Sequence, residues 1–167
     1  MAQSQNSFSL LDTHKLESLK LPRVAIVYTE WNDKIIRELR NGCESMIHRF
    51  TGDIIESVAV PGCFELPFAC KQVWEYYKDK NEKPEAIIAF GAVIRGGTPH
   101  FDYVCRAVTD GILQLNLTLP IPVIFGVLTL DNEGQAWERL GGTHGHKGEE
   151  AAVTALKMIV NTRQKNQ

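Results

Sequence analysis

The most specific chemical signal in this sequence is a glycine-rich stretch that follows a short apolar run and reads GAVIRGGTPHFDY over residues 91–103. Its spacing partly matches a Walker A loop. However, Gly97 stands where that motif carries its lysine, so little would hold the terminal phosphates of a nucleotide. An NTPase is therefore rejected. The backbone N–H groups at Gly97 and the hydroxyl of Thr98, at the start of a helix, suit a single phosphate monoester instead.

His100 follows two residues after Thr98 and is predicted to lie at the start of that helix. The positive end of a helix disfavours a second proton on an imidazole, so we predict a neutral base that can accept a proton. The alternative is a solvated histidine in the capping region of the helix, with no chemical role.

Two further candidates follow the first two predicted strands. Trp31 lies on a strand-to-helix turn, where an indole can be a platform for a flat ring or can simply close one end of the core. Glu65 lies among apolar residues where the chain turns into a helix. Its carboxylate can accept hydrogen bonds from substrate hydroxyls, or it can be a first-turn glutamate favoured by the helix dipole.

Basic residues after the fourth predicted strand suggest a second contact with an anion. Phe125 is placed at the end of that strand, and Arg139 ends the short helix that follows. The planar guanidinium of an arginine pairs with phosphate oxygens in a bidentate manner. Lys147 lies close to glycines that would let a ligand approach, although a lysine in a loop is often only solvated.

No metal site is expected. His144 and His146 are close in sequence, but no third ligand is near them. The cysteines match neither a CxxC pair nor a zinc pattern, and free thiols are typical of a cytosolic protein. They are Cys43, Cys63, Cys70 and Cys105.

The elements that must position these residues alternate between strand and helix. Short apolar runs predict strands at 23–28, 54–60, 86–90 and 123–128, and a glycine-rich turn follows the third. Three- and four-residue spacing predicts helices at about 35–50, 66–77, 100–117, 132–140 and 152–160. We therefore predict an α/β fold, a three-layer α/β/α sandwich of the flavodoxin type with a central four-stranded parallel sheet. Ligands bind such sheets at the carboxyl ends of the strands.

Composition limits the possible functions. The 167 residues fit one domain, predicted over 21–164, after an N-terminal arm at 1–20 that could add a strand. The net charge of −2 argues against a protein whose affinity depends on neutralising nucleic-acid phosphates. No apolar run is long enough for a membrane span, and the N-terminal residues do not read as a secretory signal, so we expect a cytoplasmic protein.

Five long segments carry a family resemblance: VPGCFELP (60–67), GAVIRGGTPHFDYV (91–104), PVIFGVLT (122–129), QAWER (135–139) and HKGEEAA (146–152). They resemble the 6,7-dimethyl-8-ribityllumazine synthase family, in register over about residues 20–160. The resemblance implies a transferase of riboflavin biosynthesis that condenses 5-amino-6-(D-ribitylamino)uracil with 3,4-dihydroxy-2-butanone 4-phosphate, releasing phosphate and water. It implies no cofactor and no metal.

The resemblance also implies partners and roles. The chain would form a homo-oligomer, a pentamer that can build a decamer or a 60-subunit icosahedral shell, with riboflavin synthase as a further partner. The pyrimidine and ribityl chain would contact Trp31, Cys63, Phe64, Glu65, Val93, Ile94, Phe125 and Lys147. Phosphate would contact Gly97, Thr98 and Arg139, and His100 would transfer protons. Phe125, Arg139 and Lys147 would come from the neighbouring subunit of a ring of five.

The sequence departs from the family pattern at Gly134, Thr143 and His146, none of which carries a predicted role. Two other hypotheses stay open. One is a non-catalytic protein that stores riboflavin or a lumazine, in which His100 and Arg139 would be idle. The other is an unrelated flavodoxin-like interaction domain, which would bind a protein partner and no pyrimidine.

Overall fold

The computed structural model describes residues 14–17 and 19–165. Its four β-branched, apolar runs form one parallel sheet in the order β2-β1-β3-β4. Strands buried on both faces read as continuous apolar runs, and β3 is the clearest example. The strands are β1 Arg23–Thr29, β2 Asp53–Val60, β3 Ala86–Ile94 and β4 Val123–Leu130.

Helices cover both faces of this sheet. One apolar cluster joins the sheet to the first and last helices, and a second joins the opposite face to the second and third helices. This arrangement confirms the predicted three-layer α/β/α sandwich. The helices are α1 Asp33–Arg49, α2 Leu66–Tyr77, α3 His100–Thr118, the four-residue α4 Gly134–Trp137 and α5 Lys147–Lys165. No helix in the described ranges is long and apolar enough to cross a membrane.

Several element bounds differ from the sequence prediction. The glycine-rich turn predicted to follow residue 90 begins only after Ile94, because β3 continues to that residue in register with β4, which itself continues to Leu130. The helix predicted at about 132–140 has only four residues. It is followed by a hairpin, β5 Leu140–Gly142 and β6 Gly145–His146, that the sequence analysis missed. The final helix begins at Lys147, five residues earlier than predicted.

The region predicted as an N-terminal arm contributes to the core where the structure describes it. Leu16, in a 3-10 turn at His14–Leu16, and Leu19 are buried against the cluster that contains α5. The hydrophobic core therefore begins before residue 20. The strand that we predicted for the arm lies outside the described residues.

Helix α1 packs closely, at two glycines, against the start of α5 and against His146 just before it. A Cβ on Gly148 would collide with the backbone carbonyl of Leu39, and a Cβ on Gly42 would collide with the imidazole of His146. The Gly148 N–H also donates to Nδ1 of His146 at 3.2 Å. This packing fixes the start of α5, and with it Lys147, against α1.

An ion pair joins the end of α5 to the amino-terminal edge of the sheet. Glu85 accepts hydrogen bonds from Nε and Nη2 of Arg163, both at 2.7 Å, and from the Arg23 N–H at 3.1 Å. Burial alone would raise the pKa of Glu85, but the hydrogen bonds from Arg163 and Arg23 outweigh it and hold that pKa below its ordinary value.

Replacing Glu85 with glutamine should make unfolding less sensitive to acid. A carboxylate whose pKa is lowered on folding stabilises the folded state above the unfolded value, about pH 4.3, and loses this effect as the pH falls through the lower folded value. Glu85→Gln should lower the free energy of unfolding by about 1–3 kcal/mol near neutral pH. Urea unfolding at fixed protein concentration measures this, and the difference from wild type should shrink below about pH 4. Glu82→Gln, in an exposed loop, is the control. A difference that stayed constant down to about pH 3 would contradict this assignment.

Candidate active site

Three loops are joined at the carboxyl edge of the sheet. The Glu30 N–H donates to the Val60 carbonyl at 2.8 Å, which joins the turn after β1 to the end of β2. Asn32, in a left-handed conformation, donates from Nδ2 to the Ala92 carbonyl at 2.9 Å and so joins the same turn to β3. The turn that carries Trp31 is therefore held on both sides.

Two aromatic side chains stand exposed at this edge. Trp31 is 73% exposed and Phe64 is 62% exposed. The Trp31 N–H donates to the Pro61 carbonyl at 3.3 Å, so the two turns that carry these rings are adjacent. Trp31 does not close the core, which was the alternative to a ring platform. Large apolar surfaces in adjacent loops are typical of a binding site for a flat molecule.

The turn after β2 presents a carboxylate and buries a thiol. Cys63–Glu65 is a 3-10 turn in which Oε2 of the exposed Glu65 accepts from the Gly62 N–H at 3.0 Å. The second oxygen of Glu65 remains available to accept from hydroxyl groups. Burial raises the pKa of the Cys63 thiol to about 12, so the thiol is neutral and only the backbone of Cys63 can serve a ligand.

The glycine-rich loop lies between β3 and α3, as the sequence predicted. Val93 and Ile94 are the last two residues of β3 and are partly buried. Gly97, Thr98 and His100 are exposed, and His100 is the first residue of α3. Backbone N–H groups at the start of a 19-residue helix favour an anion.

A second group of predicted residues lies in a groove of about 640 Å³ along the open edge of β4. Phe125, Arg139 and Lys147 all line it, together with Asn116 of α3 and Met158 of α5. Phe125 is 43% exposed there. Its predicted place at the end of β4 is wrong, because it is the third residue of the strand and pairs with Ala89 in the middle of β3.

Both cations in the groove are held in place. Nη1 of Arg139 donates to the Gln135 carbonyl at 2.8 Å and lies 3.6 Å from Oε2 of Glu138. Lys147 is not a freely solvated loop residue, because Nζ donates to both oxygens of the buried Glu150 at 2.7 and 2.8 Å. The groove therefore presents oriented positive groups beside an exposed aromatic ring.

The chain does not bring Phe125 to the residues at its own carboxyl edge. The paired residue Ala89 precedes Ile94 by five positions, and at 3.3 Å per residue this is about 16 Å along the strands. Trp31 and Phe64 follow β1 and β2, which lie on the opposite side of β3 from β4. Phe125 is thus separated along the sheet from the carboxyl edge of its own chain.

The two histidines considered as metal ligands have other neighbours. Nε2 of His144 lies 3.7 Å from Glu138, and Nε2 of His146 lies 3.7 Å from Glu38. Among the residues that the structure describes, no three histidine, cysteine or carboxylate side chains form a group that could hold a metal ion. The four thiols are free.

Sequence reasoning assigned no role to Arg95 or Glu150, and it considered Asn32 only as a cap of the following helix. The three-residue spacing of Glu150 from Lys147 at a helix start was an available signal for that ion pair. The hydrogen bond from Asn32 to Ala92 crosses 60 residues, and no local pattern indicates it.

A family model described as 6,7-dimethyl-8-ribityllumazine synthase matches residues 22–163. The chain belongs to the 6,7-dimethyl-8-ribityllumazine synthase family. The curated relatives carry the same description. The protein from Porphyromonas gingivalis is 45% identical over 160 residues, which cover 95% of this chain and 96% of that protein. The protein from Parabacteroides distasonis is 42% identical over 161 residues, which cover 95% of this chain and 98% of that protein. The protein from Flavobacterium psychrophilum is 40% identical over 171 residues, which cover 99% of this chain and 86% of that protein.

Membership of the 6,7-dimethyl-8-ribityllumazine synthase family confirms the resemblance stated from sequence and the fold class. It also confirms the predicted lumazine-forming condensation of riboflavin biosynthesis, and nothing favours a non-catalytic storage protein. The chain is an enzyme of a family that acts on small molecules and oligomerises.

Proposed function

We propose that this chain condenses 5-amino-6-(D-ribitylamino)uracil with 3,4-dihydroxy-2-butanone 4-phosphate to 6,7-dimethyl-8-ribityllumazine at sites shared between two copies. One observation supports a shared site: on one chain, the residues predicted to act together lie in two places, the carboxyl edge of the sheet and the β4 groove. The carboxyl edge offers aromatic rings, a carboxylate, a phosphate loop and His100. The β4 groove offers Phe125, Arg139 and Lys147.

The carboxyl edge would hold the pyrimidine and its ribityl chain. The exposed indole of Trp31 would stack on the flat ring. The free oxygen of Glu65 and the backbone at Cys63 and Phe64 would take the ribityl hydroxyls. The backbone at the end of β3, Val93 and Ile94, would border the ring.

Phosphate would be held from both copies. Gly97 and Thr98 offer backbone N–H groups and a hydroxyl at the start of α3. Arg139 of the second copy adds a guanidinium that can form two parallel hydrogen bonds with phosphate oxygens. Lys147 of that copy would donate to a pyrimidine carbonyl, and Phe125 would cover the ring.

The chemistry needs positioning and proton transfer. The 5-amino group adds to the butanone carbonyl and water leaves, which forms a Schiff base. Elimination of phosphate then gives an enol that tautomerises to a ketone. The ribitylamino nitrogen attacks this ketone, and loss of a second water closes the ring. Each step moves a proton, and His100 at the start of α3 is the residue proposed to carry it, which contributes about 10²–10⁴-fold.

The assembly proposed is a ring of five copies, in which each carboxyl edge meets the β4 groove of its neighbour. A cyclic ring needs one repeated heterologous interface, which two different faces of the same chain provide. Decamers and 60-subunit shells would then be built from such rings, and riboflavin synthase, which consumes the lumazine, is the further partner proposed.

The test is product formation. The protein is mixed with the two substrates, and lumazine fluorescence is followed against a blank without enzyme. We expect a rate well above the blank. A rate equal to the blank, with a pyrimidine ligand still quenching the fluorescence of Trp31, would instead indicate a binding protein.

A further inference from the structure

Arg95 is the first residue after β3 and begins the loop that contains the proposed phosphate site. Its backbone N–H donates to the Leu130 carbonyl at 2.8 Å, which continues the pairing of β3 with β4 by one residue. The loop of residues 95–99 therefore starts from a fixed point at the carboxyl edge.

The Arg95 side chain holds three elements together. Nε donates to Oδ1 of Asp131, just after β4, at 3.1 Å, and Nη1 donates to Oδ1 of Asp102, in the first turn of α3, at 3.4 Å. The guanidinium also stacks on the ring of Phe101, with 4.0 Å between Cζ and the ring centroid. One planar group thus connects both ends of the loop to the neighbouring strand.

The loop has little other support. A Cβ placed on Gly96 or Gly97 would meet nothing within 4 Å, so no neighbouring atom packs against these positions. Glycines have the greatest backbone freedom of all residues. A binding loop that is not held in its bound conformation must be ordered by the ligand, which weakens binding.

The charges near the loop also support a role for Arg95 in shaping it. Asp102 and Asp131 are two carboxylates next to a proposed phosphate site, and Arg95 provides one compensating positive charge. Because its guanidinium N–H groups donate to these two carboxylates, Arg95 is bound within the protein and not free to bind substrate phosphate. It is therefore distinct from Arg139, which lies in the β4 groove.

We propose that Arg95 is a positioning residue for the phosphate-bearing substrate: it pre-orders the loop of Gly97 and Thr98 by bridging Asp131 and Asp102 and stacking on Phe101. This proposal rests on the proposed function, because it assumes that the loop holds phosphate. It assigns no contact between Arg95 and substrate.

Arg95→Met should fold normally, since exposed ion pairs contribute little to stability. The expected result is selective. The KM for 3,4-dihydroxy-2-butanone 4-phosphate rises on the order of tenfold, whereas the KM for the pyrimidine changes less than about twofold. Inorganic phosphate, titrated by ³¹P NMR, should bind about tenfold more weakly. Arg49→Met is the matched control, because Arg49 also lies over an aromatic ring, at the opposite end of α1 from the site.

A double variant distinguishes a positioning role of Arg95 from an effect of its positive charge alone. Arg95→Met with Asp131→Asn removes one positive and one negative charge, so the net charge at the loop equals that of wild type. If Arg95 positions the loop, phosphate binding stays weak in the double variant. Recovery of wild-type binding would overturn the proposal, and so would an unchanged KM in Arg95→Met. If wild type shows no turnover, the proposed function fails, and phosphate binding by the variants still decides the role of Arg95.

Discussion

Replacing Arg139 with alanine should raise the KM for the butanone phosphate by about a hundredfold, which corresponds to ~2.8 kcal/mol at 1.4 kcal/mol per tenfold change. The KM for the pyrimidine should stay within about twofold of wild type, because Arg139 is proposed to contact phosphate alone. Steady-state kinetics with each substrate varied in turn measures both values. The side chain is partly exposed and makes one hydrogen bond at 2.8 Å, to the Gln135 carbonyl, so the variant should fold.

Two variants sharpen this result. Arg139→Lys keeps the charge but loses the planar fork, and its KM for the phosphate substrate should fall between those of wild type and alanine. Arg49→Ala removes an arginine at the far end of α1 and should leave both KM values unchanged. Equal increases in both KM values for Arg139→Ala would contradict the phosphate assignment, because they would indicate a general change in the groove.

The strands and helices that were predicted correctly are those that a local sequence pattern indicates. Buried parallel strands need continuous apolar residues, and the run at 86–90 shows this directly. The spacing of Ile35, Leu39 and Cys43 along α1 gives a buried face at helical periodicity. Because parallel strands place the following loops at one edge, Trp31, Glu65 and His100 could be assigned to that edge from sequence.

Other features depend on contacts that no local pattern indicates. Arg95 meets Asp131 across 36 residues, and its neighbours in sequence are glycines that predict only a loop. Phe125 was placed at a strand end, but β4 continues to Leu130 in register with β3. A Cβ on Gly126 would meet the Phe90 ring at 2.5 Å, so this glycine permits close packing inside the sheet and does not end the strand.

The proposed division of the site between two copies gives a sharper prediction than any single variant. His100→Ala damages the carboxyl edge, and Arg139→Ala damages the β4 groove. Each variant alone should condense its substrates slowly, with the histidine variant about 10²–10⁴-fold slower than wild type. Co-expression with two different affinity tags, followed by purification on both, yields assemblies that contain both chains.

In a mixed ring, some sites combine two undamaged halves. When the two chains occur equally and at random, about a quarter of the sites receive the edge from an Arg139→Ala copy and the groove from a His100→Ala copy. Those sites carry both His100 and Arg139, so the mixture should recover about a quarter of the wild-type rate. Mixing the two variants after separate purification, without exchange of subunits, is the control and should show no recovery. If both halves came from one chain, every site would lack one residue, and co-expression would restore nothing. Recovery therefore measures directly whether the His100 and the Arg139 of one site come from two copies.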